Sequence, residues 1–240
     1  MTGKDDWSTG TAAASGGVTT VFDMPNTNPP TPSLTRLRAK ELAARRAHVD
    51  YGFYGVLDRT SLDHIAELRE HGVVGFGCFM AGSTGDMSTP DDGIMLEGLE
   101  RIARLGARCS FHAENAAIIV RRRERLMEIG RRDAHAHRDS RPEICEIEAV
   151  SRATLLAEWA GARSHIAHAS SADALFLIRD AKARGVPVTA KSCPHYPLLD
   201  TDDIAELGGQ LHINPPIRRS AGPGMRTRCG VPCATGRSTA

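Results

Sequence analysis

Residues 170–188 read "SSADALFLIRDAKARGVPV", and this stretch decides the fold class. Ser170 stands where a helix N-cap belongs, with Asp173 three residues on, and Leu175 and Ile178 share an inward face. Gly185 stops the helix and Pro187 opens a β-rich run. The same alternation extends outward in both directions. Strands are predicted at residues 18–24, 49–56, 73–79, 107–112, 163–168 and 187–191, each rich in β-branched or apolar residues. Between them lie helical stripes: Leu62, Ile65 and Leu68; Met95, Leu99 and Ile102; and Ile144, Ile147, Leu155 and Trp159. Six strands joined by helical crossovers predict an α/β protein with a parallel sheet. Two architectures satisfy this, an open doubly wound sheet or a (β/α)8 barrel two strands short.

With 240 residues, 41% of them hydrophobic, the chain is long enough to bury a core. Lys plus Arg (30) nearly balances Asp plus Glu (29), which gives no electrostatic reason to expect nucleic acid or an anionic membrane as partner. No stretch approaches the ~20 apolar residues that span a bilayer, so a cytoplasmic protein is expected. The six cysteines are scattered too thinly for a stapled secreted domain and read as packed, reduced thiols. Residues 1–217 are read as the folded domain. Residues 218–240 hold five Arg and no acid, lack Leu, Phe, Tyr and Trp, and are expected to form a disordered Arg/Gly-rich tail.

In parallel α/β folds, functional side chains collect just after the C-terminal ends of strands. Four unusual segments fall there: "MPNTNPP" from Met24, "FHAEN" from Phe111, "HIAHASS" from His165 and "SCPHY" from Ser192. His112 and His168 each end a predicted strand, and neutral imidazole is a favoured zinc donor. They are the candidate metal ligands. His165 falls on the opposite strand face and is read as structural. Cys193 with His195 reads as strand-end packing, because nothing else supplies an oxyanion site. "HAH" at 135–137 lies among Arg131, Arg132, Asp133, Arg138 and Asp139 and reads as solvated surface.

The segments "DDWSTGTAAASGGVTTVFDMPNTNPPT", "STGD", "FHAEN", "SRPEICEIEAV", "HIAHASS", "CPHY" and "NPPIR" together resemble the cyclic amidohydrolases. That family comprises dihydroorotase, allantoinase and the hydantoinase/dihydropyrimidinase group, and the resemblance covers residues 3 to about 218. It implies an incomplete (β/α)8 TIM barrel of the metal-dependent hydrolase type, with about strands two to seven present. It also implies hydrolysis of the C–N bond of a cyclic amide or ureide by hydroxide held on one or two zinc ions. By the resemblance, His112 and His168 match metal ligands after the fifth and sixth strands. Asn26 of "MPNT" and Asn214 of "NPPIR" match positions that contact substrate in the dihydroorotase branch, toward which the "MPNTNPPT" loop leans.

The resemblance also marks departures. Many relatives carry a lysine, carbamylated to bridge two metals, where this chain has Gly77. Asp86, Asp91 and Asp92 are the nearby acids considered as substitutes. The family's HxH pair belongs upstream of Met1, and its last-strand Asp has no counterpart after Arg218. A catalytic zinc site normally has three protein ligands. Weak or absent hydrolysis is therefore expected, and no catalytic residue is assigned. The rival expectations are a non-catalytic structural or regulatory partner and a truncated gene product without function. Barrel edges left open near Val18 and Pro187 predict a homo-oligomer or edge association.

Overall fold

The computed structural model describes Trp7, residues 15–82 and residues 88–218. The strands are β1 (Thr20–Asp23), β2 (Asp50–Val56), β3 (Gly75–Phe79), β4 (Arg108–His112), β5 (Arg163–Ile166) and β6 (Val188–Ala190). The helices are α1 (Leu34–Ala44), α2 (Ile65–Glu70), α3 (Asp92–Arg104), α4 (Ala116–Glu128), α5 (Ala134–Ser140), α6 (Ile144–Ala160), α7 (Ala172–Ala183), α8 (His195–Leu198) and α9 (Asp203–Leu207). All six expected strands are present, shortened by a residue or two at their ends.

The strands are hydrogen-bonded in chain order, β1-β2-β3-β4-β5-β6. Of the pairings, β1 with β2, β2 with β3 and β3 with β4 are parallel. A doubly wound sheet reverses its strand order partway along, so unbroken chain order selects the barrel-type connection. Contacts divide the chain into two compact units. Unit 1 comprises residues 1–112 and 155–165, and unit 2 comprises residues 113–154 and 166–240.

Unit 1 is built on β3, every residue of which is buried, as a strand covered on both faces requires. Ile65 and Leu68 of α2 and Met95, Leu99 and Ile102 of α3 are buried as their spacing predicts. Each contributes roughly 1.5–3 kcal/mol of apolar transfer free energy. Asp91 caps α3, its Oδ1 accepting the Ile94 N–H at 2.9 Å. In unit 2, Asn115 caps α4 in the same way, accepting from Ile118 N–H at 3.0 Å, and its amide donates to Glu148 at 2.6 Å.

Two local expectations are corrected. Along α6 the buried face is Cys145, Glu146, Ala149, Val150, Ala153 and Ala157, whereas Ile144, Leu155 and Trp159 are exposed, Trp159 by 79%. Small side chains let a helix approach its neighbours closely, and the bulky apolar residues are left outside. The cap of α7 is Ser171, whose hydroxyl accepts from Ala174 N–H at 3.5 Å, and Ser170 is committed elsewhere. Gly185 takes φ +90°, the left-handed conformation that ends α7 as expected. Arg218, the first residue of the expected tail, is buried and belongs to the folded part of unit 2. Residues 219–240 lie outside the described residues.

Candidate functional site

Asn26 is half-buried in the loop that follows β1. That loop is tied at both ends: Lys40 Nζ donates to Asp23 Oδ2 at 2.5 Å and to the Met24 carbonyl at 3.0 Å, and Thr31 N–H donates to the Pro25 carbonyl at 3.2 Å. Burial lowers the Lys40 pKa, and the Asp23 carboxylate works against that shift.

His112 is the last residue of β4 and only 5% exposed. Parallel register sets it beside Phe79, and the two rings stack at 5.9 Å with a 25° interplanar angle. Its carbonyl accepts the Met80 N–H at 3.0 Å. Expected at a strand end, His112 is found there.

His168 differs from expectation. β5 ends at Ile166, and His168 follows two residues later at φ +41°, the only non-glycine positive φ among the described residues. The left-handed conformation costs an L-residue roughly 1 kcal/mol and persists where surroundings over-determine it. Here the surroundings are explicit. Lys191 N–H donates to the Ile166 carbonyl (3.0 Å), Ala169 N–H to the Lys191 carbonyl (2.8 Å) and Ser192 Oγ to the Ala169 carbonyl (2.8 Å). Ser170 N–H then donates to Glu146 Oε1 at 2.7 Å, and the Ser170 hydroxyl to the other carboxylate oxygen.

Asn214 is exposed, while the residues after it, Pro215 to Arg218, are buried. Tyr196 anchors the segment by donating its hydroxyl to the Pro215 carbonyl at 2.8 Å. Asn26 and His112 thus belong to unit 1, and His168 and Asn214 to unit 2.

Among the described residues, no group of three or more His, Cys, Asp and Glu side chains gathers to hold a metal ion. A Cβ placed on Gly77 would lie 2.8 Å from Pro25 Cγ, so the proline ring takes the space in which a side chain at this position would start. Asp91 is engaged as the α3 cap and with Arg59 at 2.9 Å, and Asp92 lies exposed in the first turn of α3. Asp86 lies outside the described residues. The described residues do not fit a bridged two-zinc centre.

The "HAH" segment departs from its expected solvated state. His137 is half-buried in α5, its Nε2 2.9 Å from the Ile213 carbonyl and its ring 3.9 Å from that of His212. Burial lowers its pKa. Cys193 packs against Tyr196 and Ile217, and burial pushes its thiol up, away from the nucleophilic thiolate. Cys78, Cys109, Cys145 and Cys193 are free thiols, as expected.

Sequence reasoning missed a buried ionic cluster in unit 2. Arg218 (2% exposed) donates through Nε to Ser170 Oγ (2.8 Å), through Nη1 to the Arg141 carbonyl (2.5 Å) and through Nη2 to Glu114 Oε1 (3.3 Å). Its Nε also lies 3.3 Å from Glu146 Oε2, and Arg141 Nη1 pairs with the other oxygen of Glu114. Burial raises the Glu146 pKa, with Arg218 and the Ser170 bonds working against it. One signal for the cluster was available: Glu146 lies three, four and seven residues before Ala149, Val150 and Ala153, which places a carboxylate on a buried helical stripe.

Three comparisons agree. The Dihydro-orotase-like family matches residues 3–174. The allantoinase of Escherichia coli (strain K12) is 38% identical over 227 residues, which cover 90% of this chain and 50% of the allantoinase. The L-hydantoinase (dihydropyrimidinase) of Arthrobacter aurescens superposes with a TM-score of 0.88 at 33% identity, covering 95% of this chain and 51% of that one. A D-hydantoinase (dihydropyrimidinase) from Thermus sp. gives 0.83 at 29% identity, covering 92% and 49%. The chain spans about half the length of the relatives it matches. Strand order, motifs and these likenesses converge: the chain belongs to the dihydro-orotase-like family of cyclic amidohydrolases.

Proposed function

We propose that this chain is a cyclic amidohydrolase by descent that recognises a cyclic amide or ureide and opens it weakly or not at all. The observation that carries this reading is Gly77. It sits on the central buried strand with no donor atom, and the Pro25 ring lies against its Cα where a side chain would begin. Hydroxide able to attack an amide at neutral pH needs a strongly polarising centre. His112 and His168 are the two inherited positions for zinc ligands, and zinc held by a full donor set would supply that polarisation. Among the described residues, two imidazoles fall short of the usual three protein donors.

Recognition requires less. Carboxamides such as those of Asn26 and Asn214 offer both a donor and an acceptor, the complement of a ring N–H beside a ring carbonyl. The likenesses to allantoinase and hydantoinases support allantoin, a hydantoin or dihydroorotate as the ring class.

The test is zinc content of the purified chain measured beside hydrolysis of dihydroorotate, allantoin and hydantoin. Substoichiometric zinc with no metal-dependent ring opening is expected. Stoichiometric zinc with turnover overturns the reading.

One observation favours a second reading, a non-catalytic partner that associates through its sheet edge. Among the described residues β1 ends the strand order, and Phe22 on it is 56% exposed. Unpaired strand edges beside exposed aromatic surface invite pairing with another chain. Light scattering on the eluting protein decides it: a dimer or larger species is expected, and a sharp monomer counts against this reading.

A further inference from the structure

Arg218 does more than neutralise buried acids. Its three nitrogens serve three acceptors carried on separate segments: Ser170 in the loop after β5, the Arg141 carbonyl just past α5, and Glu114 before α4. Glu146 on α6 closes the arrangement by accepting both the N–H and the hydroxyl of Ser170. Ser170 is two residues from His168, and Arg218 is four residues from Asn214. The Pro215 carbonyl between them is held by Tyr196, itself buried. One guanidinium thus joins the loop carrying His168 to the segment carrying Asn214, wholly within unit 2.

The chemistry explains why arginine is needed. A planar fork with fixed donor directions can satisfy acceptors on three sides, whereas an ammonium is a compact point charge on a flexible stem. Charge balance alone, with Arg141 and Arg218 against Glu114 and Glu146, does not require that geometry. The positive φ of His168 does require something to hold it, because the isolated residue would relax out of that conformation.

We infer that Arg218 is a positioning residue: through Ser170 and Glu146 it fixes His168 in its left-handed conformation and sets Asn214 relative to it. The inference rests on the proposed function only in the choice of His168 and Asn214 as residues that matter. The arrangement itself exists without substrate.

The test uses the full chain, labelled with 15N, and reads the imidazole signals of His168 and the side-chain amide of Asn214, with His71 of unit 1 as the internal control. Arg218→Met is expected to displace both the His168 and Asn214 signals and leave His71 unchanged. Arg218→Lys keeps the charge and is expected to leave both signals displaced. The charge-balanced pair Arg218→Met with Glu146→Gln is expected to recover most of the urea midpoint, yet leave both signals displaced. That separation of stability from position is what a purely structural role does not produce. If either the lysine variant or the charge-balanced pair holds both signals at their wild-type positions, the inference is wrong. These readings are taken without substrate, so failure of ring hydrolysis or ring binding does not touch them.

Discussion

Around β3, unit 1 is closed by apolar close packing, with the Gly77 backbone pressed against the Pro25 ring. The interior of unit 2 is closed by two arginines, two glutamates and a serine hydroxyl, nearly all out of contact with water. Apolar packing tolerates removal of a functional side chain, because a glycine leaves no unsatisfied group behind. An ionic cluster does not, because each member that is lost strands another. The difference is one of tolerance: packing around β3 accommodates a missing side chain, whereas the cluster depends on each of its members.

The sharpest way to break that comparison is to remove a member of the cluster. Arg218→Met is expected to cost about 3–5 kcal/mol in urea unfolding, the usual penalty for leaving a buried charge unpaired. A loss below about 1 kcal/mol would show that water reaches the cluster and that the contrast with β3 is superficial.

The matching experiment in unit 1 adds bulk. Gly77→Ala places a Cβ 2.8 Å from Pro25 Cγ and is expected to lower stability by about 1–3 kcal/mol through overpacking. Pro25→Ala in the same chain should return part of that loss, so a double-mutant cycle measures the contact directly. Strict additivity of the two would show that Pro25 is not what fills the space.

A smaller effect is expected at His168. His168→Gly and His168→Ala remove the same imidazole, but glycine accepts φ +41° without strain. The glycine variant should therefore be the more stable of the two by roughly 1 kcal/mol. Equal stabilities would mean that the loop relaxes once the ring is gone.

The smallest effect concerns pH. Burial lowers the His137 pKa below its unfolded value near 6.5, so the unfolded chain binds the extra proton first as the solution is acidified. The contribution of His137 is present above that value and declines as pH falls from 7 toward its lowered pKa. His137→Gln should flatten this slope in urea midpoints measured between pH 7 and 5.5. An unchanged slope would assign the titration elsewhere.

All six strands were legible as short β-rich runs, most plainly β3 and β4, which are buried at nearly every residue, as strands covered on both faces are. His112 was legible for the same reason, as a polar residue closing such a run. α6 misled because Ile144, Leu155 and Trp159 outrank alanine on any apolar scale, while the close-packed face selects for small size. His168 was found as a residue but not as a conformation. Its positive φ is bracketed by partners far along the chain: bonds from Lys191 and Ser192, more than twenty residues downstream, and the Ser170 bonds to Glu146 and Arg218. The ionic cluster was the least legible part, since its partners lie from 24 to 104 residues apart and, Glu146 on its small-residue stripe excepted, none stands out from ordinary surface residues in the sequence.

That last separation has a consequence for biosynthesis. A ribosome delivers Glu114 well ahead of Arg218, and at about 5–20 residues per second the intervening 104 residues take roughly 5–20 s to emerge. Once Glu146 has been made, the nascent chain carries two carboxylates bound for the interior and only one of the two cations that will meet them. The bonds that complete the cluster can form only after residue 218 has been made.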